Sequence, residues 1–134
     1  MNIVVIDGQG GGIGRALTAG VKAAIPDCVL TAVGTNSAAT VNMQKGGADR
    51  VATGENAVIV ACRKADVIAG PVGIAIADAL LGEVTPLMAQ AVGSSNARKV
   101  LIPVNMCDIM IAGVSDLNVS TLVSKAVGMI AEGK

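Results

Sequence analysis

A glycine-rich loop near the start of the chain offers the clearest chemistry in the sequence. Ile3 to Ile6 is a short apolar run, and the loop from Asp7 to Gly14 (DGQGGGIG) follows it directly. Apolar residues then recur at helical spacing, so the loop connects a predicted strand to a predicted helix. A turn without side chains lets a pyrophosphate approach the backbone, and the helix N-terminus adds free N–H donors. The pattern predicts a nucleotide phosphate site that uses Gly8, Gly10, Gly12, Ile13 and Gly14.

Asp7 opens this loop and places a carboxylate beside the predicted phosphate position. We expect it to accept hydrogen bonds from the N–H groups of the loop rather than to bind a metal or to transfer a proton. The alternative for the whole loop is a tight strand-to-helix turn that binds nothing. Strand, loop and helix in this order favour binding over that alternative.

Polar residues also follow the other predicted strands, and such residues are unusual in so apolar a chain. In an open α/β sheet, ligands bind outside the carboxyl ends of the strands. Each of these residues alone is an ordinary cap or turn residue, but together they predict a cleft suited to a sugar or a phosphate. Glu55 is the best single candidate for a general base, against the alternative of an exposed first-turn glutamate. The residues are Gly34, Thr35, Asn36, Ser37, Thr53, Glu55, Asn56 and Asn105.

The sequence provides few residues for catalysis. It has no His and no Tyr, and therefore lacks the commonest general base and any phenol that could donate a proton. Cys107 could face the predicted cleft, but no His is present to activate it. Cys28 and Cys62 are predicted to be small core residues. With three cysteines and no His, we predict no metal site.

Strands and helices alternate along the predicted elements. Val58 to Ala61 is compatible with a strand or a helix, and we favour a helix because Thr53 can cap it and Arg63 and Lys64 suit its last turn. The predicted strands are Ile3–Ile6, Val29–Val33, Arg50–Ala52, Asp66–Gly70 and Lys99–Pro103. The predicted helices begin at Ile13 and stop before Pro26, follow Ser37 and end at about Lys45, run from the cap Thr53 to Lys64, follow Pro71-Val72-Gly73 and end at Leu81, run from Pro86 (capped by Thr85) to Val92 with Gly93 just past the end, and follow the stripe Val119 to Ile130.

This alternation predicts one Rossmann-like domain over residues 1–134, an α/β three-layer sandwich on a mostly parallel sheet. Right-handed crossovers predict the strand order 3-2-1-4-5. Ile109 to Ala112 is predicted to form a sixth strand. Only a few residues separate it from the fifth, so we predict an antiparallel edge hairpin around Asn105.

The loop motif GxxxGIG, formed by Gly8, Gly12, Ile13 and Gly14, resembles the coenzyme loop of short-chain dehydrogenases/reductases. The likeness covers the first strand, the loop and the first helical turn. It implies that Gly8, Gly12 and Gly14 hold a coenzyme. Asp7 departs from the usual Thr of that family, and the catalytic Tyr of that family has no counterpart here.

Over its whole length the chain resembles a bacterial family classed as domain of unknown function 3842. The matching stretches are DGQGGGIG, AVGTNSAAT, GADRVATGENAV, GPVGIAIADALLGE, GSSNA and LIPVN. The resemblance implies a Rossmann-like fold and carries no activity.

The amino-acid composition limits the classes of partner that the protein is expected to bind. Ten basic residues balance ten acidic ones and aromatic residues are absent, which argues against nucleic acid. Charged residues make up only 15% of the chain, so we expect a homo-oligomer that covers apolar surface, with Pro71–Leu81 or Pro86–Val92 at the interface. Charge-free stretches are too short to span a membrane. The expected location is the cytoplasm.

Two functional hypotheses remain. The first is a small nucleotide- or dinucleotide-binding protein for NAD(P) or another nucleotide, without catalytic residues of its own; the second is a non-catalytic oligomeric scaffold or regulator that binds no nucleotide. If the ligand is a dinucleotide, the neutral end of the second strand, Gly34 to Ser37, predicts no strong preference between NAD and NADP. Arg15 is the nearest cation for a phosphate.

Overall fold

The protein forms a five-stranded parallel sheet with helices on both faces, and the computed structural model describes residues 1–104, 109–115 and 118–133. The strands are β1 (Asn2–Asp7), β2 (Val29–Gly34), β3 (Arg50–Thr53), β4 (Val67–Pro71) and β5 (Arg98–Ile102). The helices are α1 (Gly12–Ala24), α2 (Ser37–Lys45), α3 (Glu55–Lys64), α4 (Pro86–Ser94) and α5 (Val119–Ala131). The strand order is β3-β2-β1-β4-β5, as predicted.

Alternating side chains of the central strand divide the core into two layers. Ile3 and Val5 pack on one face with residues of α1, α2 and α5, whereas Val4 and Ile6 pack on the other with residues of α3 and α4. All four are buried, as expected for a central parallel strand covered on both sides. Cys28 and Cys62 are buried in these two clusters, as predicted, and burial raises the pKa of the Cys62 thiol to about 11.

The predicted antiparallel edge hairpin is wrong. All pairings of the five-stranded sheet are parallel, and residues 109–112 do not form a strand. Ile109 makes an isolated bridge, but Met110 and Ile111 are exposed, so little buried apolar surface holds this short run as a sheet edge. Asn105, at the predicted turn, lies outside the described residues.

Two helix predictions also need correction. The helix predicted to follow Pro71-Val72-Gly73 and to end at Leu81 does not form. This part of the chain has only a 3-10 turn, Val72–Ala75, because Asp78, Leu80 and Leu81 adopt left-handed backbone conformations that end any helix. Thr53 does not cap α3. It ends β3, and Gly54 is the cap residue. The ambiguous segment Val58 to Ala61 is helical, as predicted, and Thr85 caps α4 by accepting from the Met88 N–H.

Within residues 1–104, 109–115 and 118–133, no helix combines the length and the apolar character that crossing a bilayer requires.

Candidate functional site

The Asp7 carboxylate accepts hydrogen bonds from both ends of the glycine loop. Its Oδ1 accepts from the Gly8 N–H at 2.8 Å and its Oδ2 from the Gly14 N–H at 2.7 Å. The side chain is buried at the end of β1, so both carboxylate oxygens face the backbone of the loop. This confirms the expectation that Asp7 accepts from the loop itself. Burial raises the pKa of Asp7, the two backbone hydrogen bonds oppose that rise, and the negative charge of Glu83 adds to it.

Three glycines of the loop are closely surrounded by other atoms of the protein. A methyl group on Gly8 would lie 2.6 Å from the Thr35 hydroxyl oxygen. Gly11 has a left-handed φ of +74°, and a methyl group there would lie 2.7 Å from Cα of Ala39. A methyl group on Gly14 would lie 2.8 Å from Cβ of Asp7. Gly11 and Gly14 would need glycine even in a loop that binds nothing, because they meet backbone or Cβ atoms, whereas Gly8 meets only side-chain atoms.

Gly10 and Gly12 are different. Neither has a left-handed φ, and a methyl group on either would meet no atom of the described residues within 4 Å. Gly12 and Ile13 begin α1, so their N–H groups have no partner within the helix. Packing among the described residues therefore does not account for glycine at these two positions.

A cavity of about 270 Å³ opens beside this backbone. It lies between the carboxyl ends of β1 and β4. In the sheet, β2 and β3 lie on one side of β1, and β4 and β5 lie on the other side, so the strand order reverses at this point. Such a reversal point is the usual ligand position in an open α/β sheet. The lining residues are Asp7, Gly8, Gln9, Gly10, Gly11, Gly12, Ile13, Pro71, Leu80 and Val104. Five predicted site residues therefore line one cavity: Asp7, Gly8, Gly10, Gly12 and Ile13.

Glu83 is a residue of this region that the sequence analysis missed. Its Oε1 accepts three hydrogen bonds, from the Gln9 N–H at 2.8 Å, the Thr35 hydroxyl at 2.7 Å and the Asn36 side-chain amide at 2.8 Å. These hydrogen bonds lower the pKa of Glu83. One signal was available: Glu83 is the single charged residue between Asp78 and Arg98.

Glu83 also changes the interpretation of the end of β2. Gly34, Thr35, Asn36 and Ser37 are neutral in sequence, but the structure brings an ionised carboxylate to Thr35 and Asn36 from a distant loop. The strand end itself is neutral, but its surroundings in the fold are acidic, and the absence of a preference between NAD and NADP stays a prediction. Asn36 also caps α2 by accepting from the Ala39 N–H, Ser37 begins that helix, and a methyl group on Gly34 would collide with the Thr40 hydroxyl.

The remaining predicted site residues that the structure describes do not line the cavity. The Thr53 hydroxyl hydrogen-bonds the Thr40 hydroxyl at 2.7 Å, at the outer edge of the sheet. Glu55 and Asn56 form the first turn of α3. Cys107, like Asn105, falls in the part of the chain that the structure leaves undescribed. Across the described ranges, no group of three or more Cys, Asp and Glu side chains is arranged to hold a metal ion.

The lowered pKa of Glu83 predicts a specific pH dependence of stability. Above the ordinary glutamate pKa of about 4.3 the ionised side chain stabilises the fold, and this contribution disappears as the pH falls through the lower pKa of the folded state. We expect the difference in free energy of unfolding between wild type and Glu83→Gln, from urea titrations, to be largest at pH 7 and to shrink toward pH 3. Asp7, the charged neighbour, is the same in both proteins. A difference that is constant or grows toward acid pH would contradict the prediction.

Sequence comparison gives the chain a family. The model of a family described as Domain of unknown function (DUF3842) matches residues 2–133. The chain belongs to this family. The match confirms the whole-length resemblance seen in the sequence, and the candidate cavity lies within the matched residues. No curated protein matches the chain significantly.

Among solved structures, the fold is similar to that of a protein from Escherichia coli O157:H7. That structure is described as a dodecameric FMN-dependent UbiX-like decarboxylase. The TM-score is 0.50 with 18% sequence identity, and the match covers 97% of this chain and 76% of the other. At this identity, the similarity supports the α/β fold alone.

Proposed function

We propose that the protein binds a phosphorylated cofactor of the nucleotide or flavin nucleotide class, with a phosphate group against Gly10, Gly12 and Ile13. The observation that carries this proposal is the open space at Gly10 and Gly12. Both glycines face a cavity at the reversal point of the sheet, and neither backbone strain nor packing among the described residues requires them. A phosphate in contact with the backbone is a physical reason for both.

The polarity of the loop supports an anion at this point. The N–H groups of Gly12 and Ile13 are free of helix partners and lie at the positive end of the α1 dipole. Arg15 lies within the next turn, where its guanidinium donates to the Asn42 side chain at 2.9 Å. Asn42 in turn donates to the Gly10 carbonyl at 3.0 Å, which links the cation to the loop.

The chemistry of the described residues suits binding better than catalysis. Both oxygens of Asp7 are occupied by the loop, and Glu83 is held by three donors. With no His or Tyr in the chain, we propose that any reaction at the bound cofactor uses groups of the cofactor, the substrate or a partner. The flavin dependence stated for the Escherichia coli protein of the same fold makes FMN the first compound to test, ahead of NAD and NADP.

Direct binding measurements test this function. Isothermal titration calorimetry measures the binding of every compound, and the visible fluorescence of FMN gives a second readout for that ligand. We expect FMN, AMP, NAD or NADP to bind, the dephosphorylated riboflavin or adenosine to bind at least tenfold more weakly, and Gly12→Val to weaken binding at least thirtyfold. Gly93→Val is the matched control, because Gly93 is exposed in α4 and an added methyl group there also meets no described atom within 4 Å.

Two outcomes would contradict the proposal. One is the absence of binding to every phosphorylated compound in the set at millimolar concentration. The other is binding that Gly12→Val leaves unchanged relative to Gly93→Val.

A non-catalytic oligomeric scaffold remains the second candidate, and one observation favours it. Leu81 is 94% exposed and Leu87 is 52% exposed, within the two segments predicted to form a homo-oligomer interface. Exposed apolar side chains of this size are typical of a surface that another chain covers. Light scattering that shows a monomer at micromolar concentration would count against this candidate.

A further inference from the structure

Three hydrogen-bond donors from separate positions converge on one carboxylate oxygen beside the cavity. They are the Gln9 backbone N–H, the Thr35 hydroxyl and the Asn36 side-chain amide, at 2.7 to 2.8 Å from Oε1 of Glu83. Gln9 belongs to the loop after β1, and Thr35 and Asn36 follow β2. Three donors around one oxygen form a binding point for an oxyanion such as a carboxylate or phosphate.

The Glu83 carboxylate that fills this position belongs to residues 76–84, a segment with a strained backbone. We name this segment the Glu83 loop. Asp78, Leu80 and Leu81 have φ values of +66°, +56° and +57°. Left-handed conformations are unfavourable for residues other than glycine, and they concentrate at ligand clamps and switch segments. Leu81 is almost fully exposed, so little packing holds the tip of the loop.

The ends of the Glu83 loop are anchored independently of the carboxylate. Ala79 and Val84 are buried, and the Val84 N–H donates to the Ala79 carbonyl at 3.1 Å. Glu83 lies next to this anchor and reaches the donors with its side chain alone. Rotation of that side chain would free the three donors without breaking the sheet.

The donors adjoin the candidate phosphate position. Gln9 lines the cavity together with Gly10 and Gly12. Gly8 allows the close approach, because a methyl group there would lie 2.9 Å from Oε1 of Glu83. An anion bound next to the ionised Glu83 would be repelled, and release of the carboxylate would remove that repulsion.

We propose that Gln9, Thr35 and Asn36 form a second anion-binding point of the site, and that the Glu83 carboxylate is an internal occupant which a phosphate or carboxylate group of the ligand displaces. This proposal rests on the proposed function for the identity of the whole ligand. The donors themselves can be tested with a simple anion. Glu83 then acts as a specificity-determining residue, because only a ligand group that is itself a strong acceptor can replace it.

The test follows the backbone amide resonances of Gln9 and Gly12 by NMR during titration with inorganic phosphate, and separately with FMN. Glu83→Ala empties the three-donor point. Glu83→Gln keeps the shape and an acceptor oxygen but removes the charge. Asp78→Asn is the matched control, since it removes one carboxylate from the same loop at an exposed left-handed position that Asn tolerates.

We expect phosphate to shift the Gln9 resonance with an affinity at least tenfold higher in Glu83→Ala than in wild type. Glu83→Gln should be intermediate, and Asp78→Asn should match wild type. Should Glu83→Ala fail to give a folded spectrum, the phosphate affinities of Glu83→Gln and Asp78→Asn are compared instead. A higher affinity in Glu83→Gln supports the proposal, and equal affinities contradict it.

Failure of this proposal is distinguishable from failure of the proposed function. A Gln9 resonance that phosphate leaves unchanged in the folded Glu83 variants, or equal affinities in all four proteins, would overturn the internal-occupant proposal. FMN that shifts Gly12 equally in all proteins would support the proposed function at the same time. Conversely, a phosphate response at Gln9 with no FMN binding would support the anion point and count against the proposed cofactor.

Discussion

Replacement of Asp7 by alanine should lower the free energy of unfolding by about 2–3 kcal/mol, because it leaves the buried Gly8 and Gly14 N–H groups without an acceptor. Relief of the buried charge, which raises the pKa of Asp7, offsets part of a loss that would otherwise be larger. Asp7→Asn should also destabilise, since its amide nitrogen would face one of the two N–H donors. Urea unfolding at pH 7 measures both changes.

Asp27→Ala is the control for this experiment. Asp27 is exposed in the turn after α1, and we expect its replacement to change stability by less than about 0.5 kcal/mol. If Asp7→Ala were as mild as the control, the loop would not depend on the carboxylate at the end of β1.

Gly11→Val and Gly12→Val should destabilise the protein to very different extents, although the two residues are adjacent. At Gly11 the left-handed φ of +74° is very unfavourable for a β-branched residue, and its Cβ would collide with the Ala39 backbone at 2.7 Å. We expect a loss of about 3 kcal/mol or more in the free energy of unfolding. At Gly12 the added side chain enters open space, so the loss should stay below about 1 kcal/mol.

Thermal or urea unfolding of the two variants checks this contrast. The result also determines how the binding experiment is interpreted, because a stable Gly12→Val protein that no longer binds FMN has lost contact with the ligand and not its fold. Similar destabilisation by both substitutions would show that Gly12 is a structural glycine like Gly11.

Much of the fold could be predicted because its signals are local. The Ile3 to Ile6 run, the stripe from Val119 to Ile130 and the cap at Thr85 each depend on residues a few positions apart. The strand order followed from the handedness of crossovers, which holds for almost any α/β chain. The helix predicted to end at Leu81 was wrong because the left-handed conformations at Leu80 and Leu81 have no residue-type signature.

The candidate site was only partly predictable for the same reason. Asp7 and the loop glycines are contiguous, so their proximity required no tertiary information, and the acceptor role of Asp7 followed from its place before the loop. The sequence could not divide the glycines into two classes. Whether glycine is needed depends on neighbours such as Ala39 and Met43, which reach the loop only when α2 packs against α1.

From the sequence alone, a mostly parallel α/β sheet with a glycine-rich strand-loop-helix motif could be predicted, because periodicity, turn residues and crossover handedness act over short chain distances. Only the tertiary structure decided the charge of the cleft. Glu83 lies 48 residues from Thr35 along the chain, and the fold brings the two side chains to 2.7 Å. A hydrogen bond over such a separation depends on how β4 and its following loop pack beside β1, and no local pattern of residues encodes that position.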